Sequence, residues 1–143
     1  MSVPSWLQTA EASALGASVR ESTYLFPAIE VVHLVGITLV LAAVVVTHLR
    51  RFGVFASLGE LRAAARGVFF AGLALALLSG AVLFVTEAAK CFSSDAFRWK
   101  VTLLALAIGV ETAAWRIDAR PVAAVALLLW FGVGAAGRFI GFS

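Results

Sequence analysis

Between residues 26 and 49 the chain reads FPAIEVVHLVGITLVLAAVVVTHL, and from Val31 to Thr47 the only side chain able to carry charge is His33. At about 1.5 Å of rise per residue, a helix of this length covers the roughly 30 Å hydrocarbon core of a bilayer. A helix this long and apolar on every face does not suit the surface of a small soluble domain. The stretch is therefore read as a membrane-spanning helix, and it dictates what the rest of the chain can be.

The remainder agrees. The chain is 62% hydrophobic and 13% charged, against roughly half apolar and about a quarter charged in ordinary soluble domains. Three more apolar runs follow, at about 67–86, 97–115 and 122–139. Short connections after the second and third force antiparallel neighbours. The expected fold class is thus all-α: an integral membrane up-down-up-down four-helix bundle, with 1–143 as a single transmembrane domain. Ahead of it, segment 5–22 (SWLQTAEASALGASVRES) is expected to form an N-terminal interfacial helix, with Pro4 suited to its first turn. Ser22 or Thr23 should cap the first span, and Ser93 or Ser94 the third. Residues 50–66 are expected as a loop with at most a short surface helix. No cleavable signal peptide is expected, because no basic residue precedes the first apolar run until Arg20.

Small residues indicate where helices approach. Gly72, Ala76 and Gly80 fall at four-residue spacing and lay a narrow ribbon along the second span. Gly137 and Gly141 repeat the spacing in the fourth, which supports close helix contact or dimerisation.

The net charge is +3, but the basic residues sit at the ends of apolar runs, where topology signals belong. They do not form a nucleic-acid surface, and no nucleic-acid partner is expected. Six (Arg50, Arg51, Arg62, Arg66, Arg116, Arg120) lie on one side and five (Arg20, Lys90, Arg98, Lys100, Arg138) on the other. The first connecting loop holds four of the six, which places that loop in the cytoplasm and both termini outside a bacterial inner membrane. Beyond the lipid bilayer, the expected partner is another copy of the chain or a larger membrane complex. The single cysteine, Cys91, excludes an internal disulfide and a Cys-based metal cluster within one chain. Lys90 beside it could lower its pKa, but an incidental loop thiol is the simpler expectation.

Ionisable groups at membrane depth are costly and mark candidate sites. They sort into two layers. The outer layer holds Glu30, His33, Glu87, Arg98, Lys100 and Arg138. Glu30 and His33 are three residues apart and share a helix face. An imidazole flanked by lysine and arginine is suited to a haem b iron with its two propionates, or to a quinone head group. His33 is then the iron ligand or hydrogen-bond donor and Glu30 its orienting partner, while Lys100, Arg138 and Arg98 neutralise the oxygens. The competing reading is a histidine satisfied by a backbone carbonyl or by Glu30, with the cations snorkelling to the headgroups.

The inner layer holds His48, Glu111 and Arg116. His48 is a secondary metal candidate, about 22 Å along the helix from His33. No other histidine exists, so a bis-His haem needs ligands from different copies. For Glu111, a local pair with Arg116 is preferred over a pair with His48 or a protonated acid.

Two stretches carry a resemblance. Glu30-Val-Val-His33-Leu-Val-Gly36, continuing to Leu49-Arg50-Arg51-Phe-Gly53, resembles the first helix of an uncharacterised group of small bacterial four-helix membrane proteins. Phe97-Arg98-Trp99-Lys100 resembles the head of the third helix in that group. Both are more distantly similar to the haem-binding bacterial protoporphyrinogen oxidases, and the resemblance implies functional roles for His33 and Lys100. This chain departs from those oxidases in the segment that precedes its histidine helix and in its lack of further histidines near helix ends. The copper-resistance membrane proteins have similar His-bearing helices, which implies metal handling.

The function expected is a small redox-linked inner-membrane protein holding a haem b or quinone in the outer leaflet. Whether it is itself an enzyme stays open. The alternatives are a non-redox anchor or assembly subunit of a larger complex, and a small metal or solute transporter using Glu30 and His33.

Overall fold

A computed structural model describes residues 3–54, 57 and 59–140, with the Ile140 side chain left out. Among them the chain is all-helical, with no strand. Seven α-helices occur in order: α1 (Ser5–Glu11), α2 (Ala14–Glu21), α3 (Leu25–Leu49), α4 (Leu61–Thr86), α5 (Ala88–Ser93), α6 (Asp95–Ala114) and α7 (Arg120–Ile140). A 3-10 turn, Arg50–Phe52, extends α3 and ends on Gly53, whose φ of 86° is the left-handed stop that glycine adopts without strain.

Three helices are long and apolar enough to cross a membrane: α3 with its 3-10 extension, α4, and α7. The fourth long helix, α6, carries Asp95, Arg98, Lys100 and Glu111 and falls outside that composition. It nevertheless packs along α7, as α3 packs along α4, and α3 meets α7 to join the two pairs.

The N-terminal segment differs from expectation. It forms two short helices, because the Ser13 hydroxyl accepts from Gly16 N–H and starts α2 afresh. Pro4 takes the N-cap position of α1. Leu7 and Val19 are buried, with α1 resting on α5 and α2 on α4. Arg20 fastens the segment by donating to the Thr86 carbonyl at 3.2 Å. At the start of α3, the Ser22 hydroxyl accepts from Tyr24 and Leu25 N–H. Helix α4 begins six residues before the apolar run because Leu61-Arg-Ala-Ala-Ala-Arg are strong helix formers. Ser94 caps α6 by accepting from Phe97 N–H.

The small-residue ribbon of α4 faces α3. A Cβ on Gly36 would lie 2.6 Å from the Ala76 nitrogen, and one on Gly72 would lie 2.7 Å from Leu39 Cβ. The two backbones are therefore in contact, with no room for a side chain at either position. Farther along, Val40, Ala43, Val44, Phe69, Ala107, Trp130 and Val133 form the core. Phe69 meets Trp115 and Trp130 edge to face, at centroid distances of 5.4 and 5.5 Å. Gly141 lies outside the described residues.

Candidate functional site

The structure brings His33 and Lys100 together. His33 reaches across from α3 to α4, where its Nδ1 lies 2.9 Å from the Ala76 carbonyl and 3.1 Å from Ser79 Oγ. A carbonyl oxygen can only accept, so this contact assigns the proton to Nδ1. Ser79 is consistent, since its hydroxyl donates to the Leu75 carbonyl at 2.6 Å and leaves a lone pair for the imidazole. Nε2 is then the acceptor, and Lys100 Nζ donates to it across 3.3 Å.

Glycines make this arrangement fit. A Cβ on Gly80 would lie 2.9 Å from His33 Cε1, and one on Gly137 would lie 3.4 Å from Lys100 Nζ. The ring lies over bare backbone of α4, and the lysine over bare backbone of α7.

Both groups line a cavity of about 270 Å³ between α3, α4, α6 and α7. That is near the lower end of the range for small-molecule sites. Apart from His33 and Lys100 its walls are apolar and aromatic, with Phe84 and Phe97 stacked at 5.3 Å and Trp130 at its far end. Lys100 forms no ion pair among the described residues.

The other expected members are elsewhere. Glu30 is exposed, and the Ala76 carbonyl and Ser79 hydroxyl orient His33 in its place. Arg98 turns back on its own helix end, donating to Asp95 and to the Phe92 carbonyl. Arg138 is exposed. Neither arginine lines the cavity.

The second layer is more connected than expected. His48 is fully buried, and its Nε2 lies 3.2 and 3.0 Å from the two Glu111 oxygens. Trp115 and Trp130 each donate an indole N–H to the same carboxyl group at 3.1 Å. Two indole N–H donors and the His48 imidazole thus converge on one acid, which is 2% exposed. The expected Glu111–Arg116 pair does not form. Arg116 is exposed, whereas the inward position of Glu111 faces α3 and α7. His48 Nδ1 is buried with no hydrogen-bond partner among the described residues.

No family model, no curated protein and no solved structure matches this chain.

Outside the helices that line the cavity, burial raises the Cys91 thiol pKa, and the nearby Glu87 carboxylate adds to the effect. Lys90 pulls the other way and is outweighed. This corrects the activation that the Lys90-Cys91 sequence could have produced.

Proposed function

We propose that the chain is a four-span membrane protein whose cavity holds an apolar molecule with an oxygen-bearing head, of the quinone class, for a redox step. The observation that carries this is the Lys100–His33 pair, the polar spot in a cavity of otherwise apolar walls. Such a site takes an apolar body by burial and fixes its head with a few polar contacts. Lys100 donates to a quinone carbonyl oxygen, and the Nε2 lone pair of His33 accepts from a quinol hydroxyl. Side by side, the two groups serve one ring oxygen in both its carbonyl and its hydroxyl form.

The haem alternative fits less well. A neutral imidazole protonated on Nδ1 is the correct tautomer for iron, but Lys100 already engages Nε2. The arginines expected to hold propionates do not reach the cavity. Helix α6 serves as the fourth span in this reading. Its first-turn charges lie at one end, Glu111 is hydrogen-bonded internally, and α7 covers its length. Arg50, Arg51, Arg62 and Arg66 fall at the His48 end of α3 and the start of α4, which supports placing that end in the cytoplasm of a bacterium and the cavity in the outer leaflet.

The test is organic extraction of protein purified from its native membrane in mild detergent, followed by mass spectrometry. A prenylated quinone in stoichiometric amount, lost in the His33→Ala and Lys100→Met variants, is the expected result. A Soret band that vanishes with His33→Ala would overturn it in favour of haem. An empty cavity with a copurifying catalytic subunit would favour an anchor.

A further inference from the structure

The Lys100–His33–Ser79 line has the layout of an activated nucleophile. An amine is a weak nucleophile while protonated, and proteins activate it with an apolar pocket and an adjacent base held by a third group. Each part is present. Lys100 Nζ opens into the apolar cavity and forms no ion pair among the described residues. His33 Nε2 is 3.3 Å away with its lone pair toward the amine. The Ala76 carbonyl and the Ser79 hydroxyl fix the ring through Nδ1. Gly80 and Gly137 let the two groups seat against bare backbone, which a Cβ at either position would crowd.

We infer that Lys100 bonds covalently to apolar aldehydes, capturing them as an imine with His33 as the proton-transferring base. This rests on the reading of the cavity as a ligand site and goes beyond it by naming a bond. His33 Nε2 takes a proton from the ammonium. The free amine then attacks the aldehyde carbon, a C–N bond forms, and the carbonyl electron pair moves onto oxygen. His33 returns its proton to that oxygen, then takes the nitrogen's surplus proton and delivers it to the resulting hydroxyl, which leaves as water while a protonated C=N forms. No oxidant or reductant is consumed, and hydrolysis by the reverse steps releases the aldehyde. The cavity selects a long hydrocarbon chain, because its remaining walls offer apolar contact and no second polar anchor.

The chain contains two lysines, and the other, Lys90, is exposed and 3.8 Å from Glu87. It is an internal control that needs no variant. Full-length protein in mild detergent is incubated with dodecanal and cyanoborohydride, which reduces an imine to a stable secondary amine, and the adduct is mapped by peptide mass spectrometry. Binding is followed in parallel, without reductant, by quenching of Trp130 emission in a Trp6→Phe, Trp99→Phe, Trp115→Phe background. The expected result is an adduct on Lys100 in large excess over Lys90, formed about a hundredfold more slowly in His33→Ala. Equal labelling of the two lysines, or a Lys100 rate unchanged in His33→Ala, overturns the inference. Quenching without any adduct overturns the imine and leaves the cavity reading intact, whereas absence of both removes the cavity reading as well.

Discussion

At the scale of single residues, the site depends on what is missing as much as on what is present. Gly80 has no Cβ, and the His33 ring takes that space. Gly80→Ala should therefore displace the imidazole from Ala76 and Ser79. The expected outcome is loss of extracted ligand with unchanged helix content by circular dichroism. Gly109→Ala, where a Cβ would meet nothing within 4 Å, should change neither. Cys91 gives a second prediction. Its raised pKa leaves less thiolate at neutral pH than an ordinary cysteine has, so iodoacetamide should react slowly with folded protein. The rate should climb as pH rises toward the shifted value, and detergent denaturation should bring it up to that of a free thiol. Residue types and depths in the sequence were enough to pair His33 with Lys100. Ser79 and the Ala76 carbonyl were not anticipated as its orienting partners, although position 79 lies on the same face as Gly72 and Ala76 at a period near 3.6. Glu30 shares a helix face with His33, but sequence spacing alone could not show that the imidazole reaches across to the next helix instead.

At the scale of elements, the α3–α4 contact is set by Gly36 and Gly72. Backbone at that separation cannot yield as a flexible side chain does. Gly36→Leu or Gly72→Leu should cost at least the 1–3 kcal/mol or so typical of overpacking. The measurement is the unfolding midpoint in detergent, and an unchanged midpoint would contradict the close crossing. The four-residue spacing of the α4 ribbon made this contact legible in advance, because only small residues allow it. Element ends were less legible. Helix α4 starts earlier than its apolar run since alanine and arginine propagate a helix irrespective of lipid. The N-terminal segment splits at Ser13 because one hydroxyl restarts the hydrogen-bond pattern.

At the scale of the whole molecule, two polar clusters lie toward opposite ends of the long helices, and Trp130 links the inner one to the cavity of the outer one. Its ring borders the cavity while its N–H holds Glu111. Glu111 joins α3, α6 and α7 through His48, Trp115 and Trp130. Glu111→Ala should therefore lower stability by more than about 3 kcal/mol, because it strands the His48 ring and two indole N–H groups at about 1–3 kcal/mol each. Trp130→Phe, which only removes one donor, should cost about 1–3 kcal/mol. Thermal unfolding in detergent separates the two. The nearby Arg116 drew the sequence reading to the wrong partner, because which way Glu111 points depends on the packing of α6 against α7. The crossing at Gly36 also sets how α3 can swing. It lies about 4.5 Å along the axis from His33 and about 18 Å from His48. A tilt hinged there carries the far histidine roughly four times as far as the near one. The imidazole that faces the cavity therefore sits close to the pivot, where the rod moves least.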